Sequence, residues 1–137
     1  MVSPEYLAAT TRFYQHHVCR LFPWPAPLRR AVAGAGESVY RTMWGENEFL
    51  MTGTLRAYDR TSALPGLSVP TLYLCGRYDE ATPGACAEYA RLTPNAEVVV
   101  FERSAHMAVL EEEVAFRQAV DVFLTRTERD GSLASRP

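Results

Sequence analysis

Long apolar runs are missing from this sequence of 137 residues. A helix that spans a membrane needs about 18 or more consecutive apolar residues, and no stretch here approaches that length. The first ten residues, MVSPEYLAAT, also lack the charged segment followed by an apolar one that begins a secretory signal. We therefore expect no secretory signal, no membrane span and no membrane partner.

Cysteine is scarce, and its spacing suggests no pairing. Cys19, Cys75 and Cys86 are odd in number and form no C-x-x-C motif. This pattern is typical of reduced thiols in a reducing compartment, so we expect a cytoplasmic protein. Cys75 lies in an apolar run and is expected to be a core residue rather than a nucleophile. No metal or other cofactor is expected.

An excess of charge of one sign is also absent. The formal net charge is -2 and the basic residues are scattered singly or in pairs, which argues against a surface that binds nucleic acid. What the chain does contain is apolar, since 47% of its residues are hydrophobic and 22% are charged. That balance predicts a globular protein, and the length is sufficient for one domain with its own core.

The first half of the chain has the pattern of several short helices. Ser3 and Pro4 are typical of a helix start, and the prolines of PWPAP at 23–27 end the helix predicted over 3–22. Shorter helices are predicted over 28–33, 37–44 and 53–59. A connector follows over 61–70.

From residue 71 onward, short strands alternate with helices. TLYLC at 71–75 and AEVVVF at 96–101 are apolar runs of the kind found in strands that are buried on both faces. Helices are predicted from Thr82 to about Leu92 and over 111–126. This order predicts a parallel β-α-β-α unit in an α/β fold.

The last predicted helix has acids at its start and an apolar face. Glu111, Glu112 and Glu113 would lie at its N-terminus, where the helix dipole favours negative charge. The apolar positions are Val114, Phe116, Val120, Phe123 and Leu124.

Two side chains with complementary chemistry follow the two predicted strands. Asp79 comes after the first strand and His106 after the second. Because ligands and catalytic groups gather beyond the carboxyl ends of parallel strands, we predict that both loops are neighbours at one edge of the sheet. A carboxylate bound to a histidine ring fixes its tautomer and leaves the other nitrogen to accept a proton from a nucleophile. The alternative is two ordinary surface residues.

Asp79 is followed directly by a second acid, Glu80. Two carboxylates side by side repel each other, which reduces stability. We therefore expect the two acids either to lie open to water or to face different partners.

Several longer stretches extend this pattern: VYRTMWGENEF, GTLRAYD, VPTLYLCGRYDEATP, AEVVVFERSAH, the closing helix and the upstream FYQHHVCRLFPWP. Over about residues 5–125 they resemble the carboxyl-terminal part of α/β hydrolases, in particular the proline iminopeptidases. The resemblance implies a helical cap segment over 1–63. It also implies the carboxyl-terminal part of the α/β-hydrolase core over 64–126 and a flexible tail over 127–137.

The resemblance further implies a role for four side chains. Asp79 matches the acid and His106 the base of a Ser-His-Asp triad, whereas Glu80 and Glu48 match the two acids that hold the substrate's free α-amino group. The implied activity is that of a serine aminopeptidase that releases an N-terminal residue, with proline favoured, from a peptide or amino-acid amide. For Glu48, a solvated loop acid is the alternative.

One part of the family pattern is missing. No G-x-S-x-G nucleophile motif occurs, and the Ser38 of GAGES at 34–38 comes last and follows no predicted strand. The family's glycine-rich oxyanion loop is also absent. We therefore expect a carboxyl-terminal fragment that is inactive in isolation, with the missing amino-terminal half as its partner and the source of its serine. The alternatives are an inactive stand-alone binding module and a generic α/β hydrolase acting on amino-acid amides or esters.

Overall fold

The computed structural model describes residues 3–47, 49–129 and 131. In chain order its helices and strands are α1 (Pro4–Phe13), α2 (Ala26–Ala33), α3 (Glu37–Met43), β1 (Thr71–Gly76), α4 (Pro83–Leu92), β2 (Ala96–Phe101), α5 (Ala108–Glu111) and α6 (Glu113–Arg129). Helix α1 continues as a π-helical turn over Tyr14–Val18, and two 3-10 helices cover Thr54–Ala57 and Thr61–Gly66. Within the described residues, no helix is both long enough and apolar enough to cross a membrane.

The described residues fall into two compact units. One contains the residues up to 23 together with those from 63 onward, and the other contains residues 24–62. The first unit carries the sheet and both Asp79 and His106. The predicted boundaries at residues 63 and 126, which separate a cap segment, the core and a tail, stay a prediction.

The sheet of the first unit is formed by β1 and β2, which pair in parallel with Gly76 opposite Phe101. Helix α4 connects the strands and covers one face, where the Tyr73 hydroxyl lies 2.8 Å from the Thr93 hydroxyl at the end of α4. Helix α6 packs on the opposite face, where the ring centroids of Phe101 and Phe116 are 5.6 Å apart. This β-α-β-α order and the parallel pairing confirm the predicted fold class.

The strands are less buried than their apolar sequences predict. Cys75, Gly76 and Phe101, at the carboxyl ends, are buried, while the other positions are half-buried or exposed. In the described sheet each strand has a neighbour on one side. The prediction of burial on both faces is therefore wrong for most of the strand length.

The closing helix also differs from its prediction. Glu112 leaves helical geometry between α5 and α6, with φ −129° and ψ 50°, so α6 begins at Glu113 rather than at Glu111. Of the five predicted apolar positions, Val114 is 81% exposed and Leu124 is 45% exposed. The predicted apolar face is wrong at these two positions.

Helix α1 begins as predicted but ends early. The Ser3 hydroxyl accepts the Tyr6 N–H at 3.2 Å. The helix does not reach residue 22, because the Cys19 N–H donates to the Tyr14 carbonyl at 3.0 Å and closes a π-helical turn. Cys19 is then extended, with φ −148°, and fully buried. Burial of Cys19, rather than the prolines downstream, coincides with the end of the helix.

The second unit contains α2, α3 and the first 3-10 helix. After α3 the chain turns back, and the Trp44 carbonyl accepts the N–H groups of Thr52 and Gly53 at 2.9 and 2.8 Å. The helix predicted over 53–59 is the shorter 3-10 helix Thr54–Ala57. Glu48, predicted to bind the substrate's amino group, lies outside the described residues.

Candidate active site

The loops that follow β1 and β2 bring Asp79 and His106 together. Nδ1 of His106 lies 3.0 Å from Oδ1 of Asp79. The Asp79 side chain is 4% exposed and that of His106 is 44% exposed. Because a carboxylate can only accept, His106 donates through Nδ1–H, and Nε2 is the nitrogen that can take up a proton. A buried acid that holds a half-exposed imidazole in this tautomer can support proton transfer to and from a third group.

Asp79 is oriented by the backbone of its own loop. Its Oδ1 also accepts the Ala81 N–H at 2.8 Å, and its Oδ2 accepts the Gly76 N–H at 3.4 Å. The Asp79 N–H donates to the Gly76 carbonyl at 3.3 Å. Backbone donors at both oxygens offset the cost of burying the carboxylate, and they fix the direction in which it faces His106.

The two loops are in direct backbone contact at Gly76. A Cβ atom at this position would lie 2.3 Å from the carbonyl oxygens of both Ser104 and Ala105, so only glycine fits without a shift of the chain. Next to this contact, the Tyr78 N–H donates to the Ser104 carbonyl at 3.0 Å. The absence of a side chain at Gly76 lets the two backbones approach closely, and the hydrogen bond beside it keeps the Asp79 and His106 loops together.

Two glutamates that follow the histidine loop hydrogen-bond its backbone. Glu112 accepts the Arg103 N–H at 2.8 Å and the hydroxyl of the fully buried Ser104 at 2.5 Å. The Ser104 hydroxyl, and after it the Arg103 N–H and guanidinium, lower the pKa of Glu112, although partial burial opposes them. Glu111 accepts the Ala105 N–H at 2.9 Å.

The sequence reasoning missed this role of Glu111 and Glu112. It placed both at the start of the last helix, whereas Glu111 ends α5, Glu112 lies between the helices and Glu113 begins α6. The available signal was the run of three acids directly after the loop, which is more negative charge than one helix N-terminus requires. Their contacts with residues 103–105 make them part of the support for His106.

Glu80 lies in different surroundings from its neighbour. It is exposed, whereas Asp79 is buried. The two adjacent acids therefore do not both lie open to water, and the expectation that Glu80 faces a partner of its own stays a prediction. The structure brings Asp79 and His106 together; the joint role predicted for Glu80 and Glu48 stays a prediction.

The cysteines are core residues. All three are buried free thiols, and burial, with a smaller contribution from hydrogen bonding to Cys86, raises the pKa of Cys75 to about 12. A nucleophilic cysteine needs an accessible thiolate, so Cys75 is not suited to that role. In the described part of the chain, no group of three or more histidine, cysteine or acidic side chains is placed to hold a metal ion.

Comparisons with known proteins show which family and which solved structures this chain resembles. Residues 4–113 match the family described as alpha/beta hydrolase fold. The chain is 40% identical over 123 residues to the proline iminopeptidase of Heyndrickxia coagulans, covering 89% of this chain and 43% of that protein. It is 36% identical over 123 residues to the proline iminopeptidase of Saccharolobus solfataricus, covering 89% of this chain and 40% of that protein. The crystal structure of a proline iminopeptidase from Mycobacterium smegmatis has a TM-score of 0.84 at 36% identity, covering 97% of this chain and 44% of that one.

These matches extend over nearly the whole chain but over part of each relative. The chain spans about two fifths of the length of the curated relatives it matches. The predicted resemblance over about residues 5–125, to the carboxyl-terminal part of α/β hydrolases and in particular to proline iminopeptidases, is confirmed. Since the family match covers residues 4–113 and the strands, helices and loops follow the expected order, the chain belongs to the alpha/beta hydrolase fold family.

Proposed function

We propose that this chain supplies the acid and the base of a serine aminopeptidase of the proline iminopeptidase type. The observation that carries the proposal is the 3.0 Å contact between Nδ1 of His106 and Oδ1 of the buried Asp79, beyond the carboxyl ends of two parallel strands. The similarity to proline iminopeptidases supports a peptide or amino-acid amide substrate that loses its N-terminal residue, with proline favoured.

In the proposed reaction, a serine outside residues 1–137 attacks the carbonyl of the scissile bond. It is assigned there because the chain contains no G-x-S-x-G motif, and this chain alone would therefore be inactive. His106 takes the serine proton at Nε2 and returns it to the leaving amine, while Asp79 holds the Nδ1–H tautomer and stabilises the imidazolium. Water then hydrolyses the acyl-enzyme, with His106 as the base.

Recognition of the free α-amino group is proposed for Glu80 and Glu48. A protonated amine and carboxylates are complementary in charge, and hydrogen bonds between charged groups are the stronger kind. The support for Glu80 is its exposure directly beside Asp79. The support for Glu48 is the sequence resemblance.

The proposed setting is the cytoplasm. The argument rests on Cys19, Cys75 and Cys86, which are free thiols. Free thiols persist in reducing compartments, whereas secreted proteins tend to oxidise them to disulfides.

A fusion protein tests this proposal. In it, the present chain replaces the matching part of the Heyndrickxia coagulans proline iminopeptidase, and the remaining part of that protein is expected to contribute the nucleophile. We expect the fusion to hydrolyse prolyl p-nitroanilide, and we expect His106→Gln to lower kcat by about 10⁴-fold or more. His16→Gln, a matched change at an exposed histidine, should alter kcat by less than about twofold.

A serine-directed fluorophosphonate probe identifies a fusion that is correctly assembled. If the probe labels the fusion and hydrolysis of the amide is the same with and without His106, the proposed role of the Asp79–His106 pair is wrong.

A further inference from the structure

We propose that residues 17–20, formed by the end of the π-helical turn and the two residues after it, hold the Asp79 and His106 loops at their observed separation. His17 is the positioning residue of this segment. The inference rests on the proposed function only in so far as it calls the pair catalytic, because the contacts themselves are independent of any reaction.

The 17–20 segment contacts the loop that carries the acid. Nδ1 of His17 lies 2.8 Å from the Tyr78 carbonyl oxygen, and since a carbonyl can only accept, this nitrogen carries the proton. The Arg20 guanidinium lies over the Tyr78 ring, 3.9 Å from its centroid, as in cation–π pairs. Tyr78 directly precedes Asp79, so both contacts act on the residue next to the acid.

The same segment contacts the loop that carries the base. The His106 N–H donates to the His17 carbonyl at 3.2 Å, and the Met107 N–H donates to the Val18 carbonyl at 2.9 Å. His17 therefore touches the acid loop with its ring and the base loop with its backbone. One residue thus connects the two loops, in addition to the direct contacts between them.

A shared carboxylate strengthens the connection to the base loop. Glu111 accepts the Arg20 N–H through Oε1 at 2.7 Å and the Ala105 N–H through Oε2 at 2.9 Å. Between these contacts Cys19 is fully buried, and burial raises the pKa of its thiol. The segment is thus held by hydrogen bonds on both sides of a buried residue.

The π-helical turn explains why this segment can make these contacts. Carbonyls in the last turn of a helix have no partner within the helix. Here the i to i+5 bond from Cys19 to Tyr14, at 3.0 Å, ends the helix, and the carbonyls of His17 and Val18 accept from the base loop. π-helical turns are rare and occur frequently at functional sites. The irregular turn therefore has a positional role that a regular α-helix ending at residue 22 would not provide.

The test uses the full 137-residue chain and requires no enzymatic activity. Nuclear magnetic resonance of the ¹⁵N-labelled imidazoles gives the tautomer of His106 and the resonance of its Nδ1–H proton, which a hydrogen bond to Asp79 deshields and protects from exchange with water. The chain contains three histidines, so His106→Gln assigns the signal.

The informative variants change the ring of His17 in two ways. His17→Phe keeps a ring beside Phe13, whose centroid lies 4.9 Å from that of His17, but removes the donor to Tyr78. We expect the Nδ1–H proton of His106 to exchange about tenfold faster, the equivalent of one lost hydrogen bond. His17→Asn, which keeps a donor near the Nδ1 position, should restore slow exchange.

Matched controls separate this role from a general loss of stability. His16→Phe makes the same chemical change on the exposed neighbour and should leave the His106 exchange rate unchanged. Arg20→Met removes the guanidinium from the Tyr78 ring but keeps the backbone N–H, and it should speed exchange by about threefold. If His17→Phe does not fold by circular dichroism, Arg20→Met decides in its place.

The proposal is overturned if folded His17→Phe leaves the His106 tautomer and exchange rate unchanged, or if His16→Phe changes them equally. The two proposals can also fail separately. If the His106 resonance of the 137-residue chain depends on His17 but the fusion has no peptidase activity, the positioning role is supported and the proposed function is overturned.

Discussion

Replacing Gly76 with alanine should force the Asp79 and His106 loops apart. The added Cβ would lie 2.3 Å from the carbonyl oxygens of Ser104 and Ala105, whereas ordinary van der Waals contact begins at 3.4 Å. Real Cβ atoms essentially never come closer than 3.0 Å to another atom, so the two backbones must separate by at least 3.0 − 2.3 = 0.7 Å, and by 3.4 − 2.3 = 1.1 Å to reach an ordinary contact. Both obstructing atoms belong to the main chain, so no side-chain rotation can relieve the overlap.

The expected effect is both a loss of stability and a change at the site. Overpacking of this kind costs about 1–3 kcal/mol of unfolding free energy. The segment that moves leads directly into His106, and a displacement of about 1 Å at a reacting group can lower the rate by about 10²-fold. Urea unfolding followed by circular dichroism measures the first effect, and the Nδ1–H resonance of His106 reports the second.

Two other glycines provide matched controls. No atom lies within 4 Å of a Cβ at Gly66, and at Gly84, in the first turn of α4, the nearest atom is the Thr82 hydroxyl at 3.8 Å. Alanine at either position should leave the His106 resonance unchanged, and at Gly84 it should stabilise the helix by about 0.5–1 kcal/mol. The described packing is refuted if Gly76→Ala unfolds within about 0.5 kcal/mol of the parent and keeps its His106 resonance.

Three further predictions concern the acids and the chain itself. Asp79→Asn in the fusion should lower kcat by about 10⁴-fold, both for prolyl amides and for esters that lack an amine. Glu80→Gln should instead lower kcat/KM by about 10- to 200-fold, and only for substrates with a free amine. If Glu80→Gln lowers kcat/KM equally for both kinds of substrate, Glu80 has a structural role. Because its contacts lower the pKa of Glu112, the stability that this residue contributes is present above the ordinary glutamate pKa and is lost as the pH falls through the lowered value. The excess unfolding free energy of the parent over Glu112→Gln should therefore shrink below about pH 4.3, and a difference that does not vary with pH would contradict this. The purified 137-residue chain should not hydrolyse prolyl p-nitroanilide above the buffer rate, because catalysis requires the serine and its oxyanion hole. Turnover that a serine-directed inhibitor blocks would show that the nucleophile lies within the chain.

The pairing of Asp79 with His106 could be predicted because it depends on local patterns. Each strand is a short apolar run with a loop after it, and parallel pairing alone brings the two loops to one edge of the sheet. The bounds of β1, α4 and β2 agree with their predictions to within one residue for the same reason.

The supporting contacts could not be predicted because they join distant parts of the chain. The contact of His17 with Tyr78 spans 61 positions, and that of Arg20 with Glu111 spans 91. In sequence, residues 14–22 continue a helical pattern, and Glu111 fits the start of another helix. Tertiary hydrogen bonds override both local preferences.

The short loops after the strands also determine where residues can be inserted into this fold or deleted from it. Asp79 lies 79 − 76 = 3 residues after the end of β1, and His106 lies 106 − 101 = 5 residues after the end of β2. One inserted residue would add up to about 3.3 Å of chain to either loop, which is enough to move the two side chains out of hydrogen-bond distance. The turn over 93–95 lies at the opposite end of the sheet, where Asn95 already adopts a left-handed φ of 56°. We therefore expect insertions and deletions to be tolerated at that turn and to disrupt the site when they fall in the loops beyond the strands.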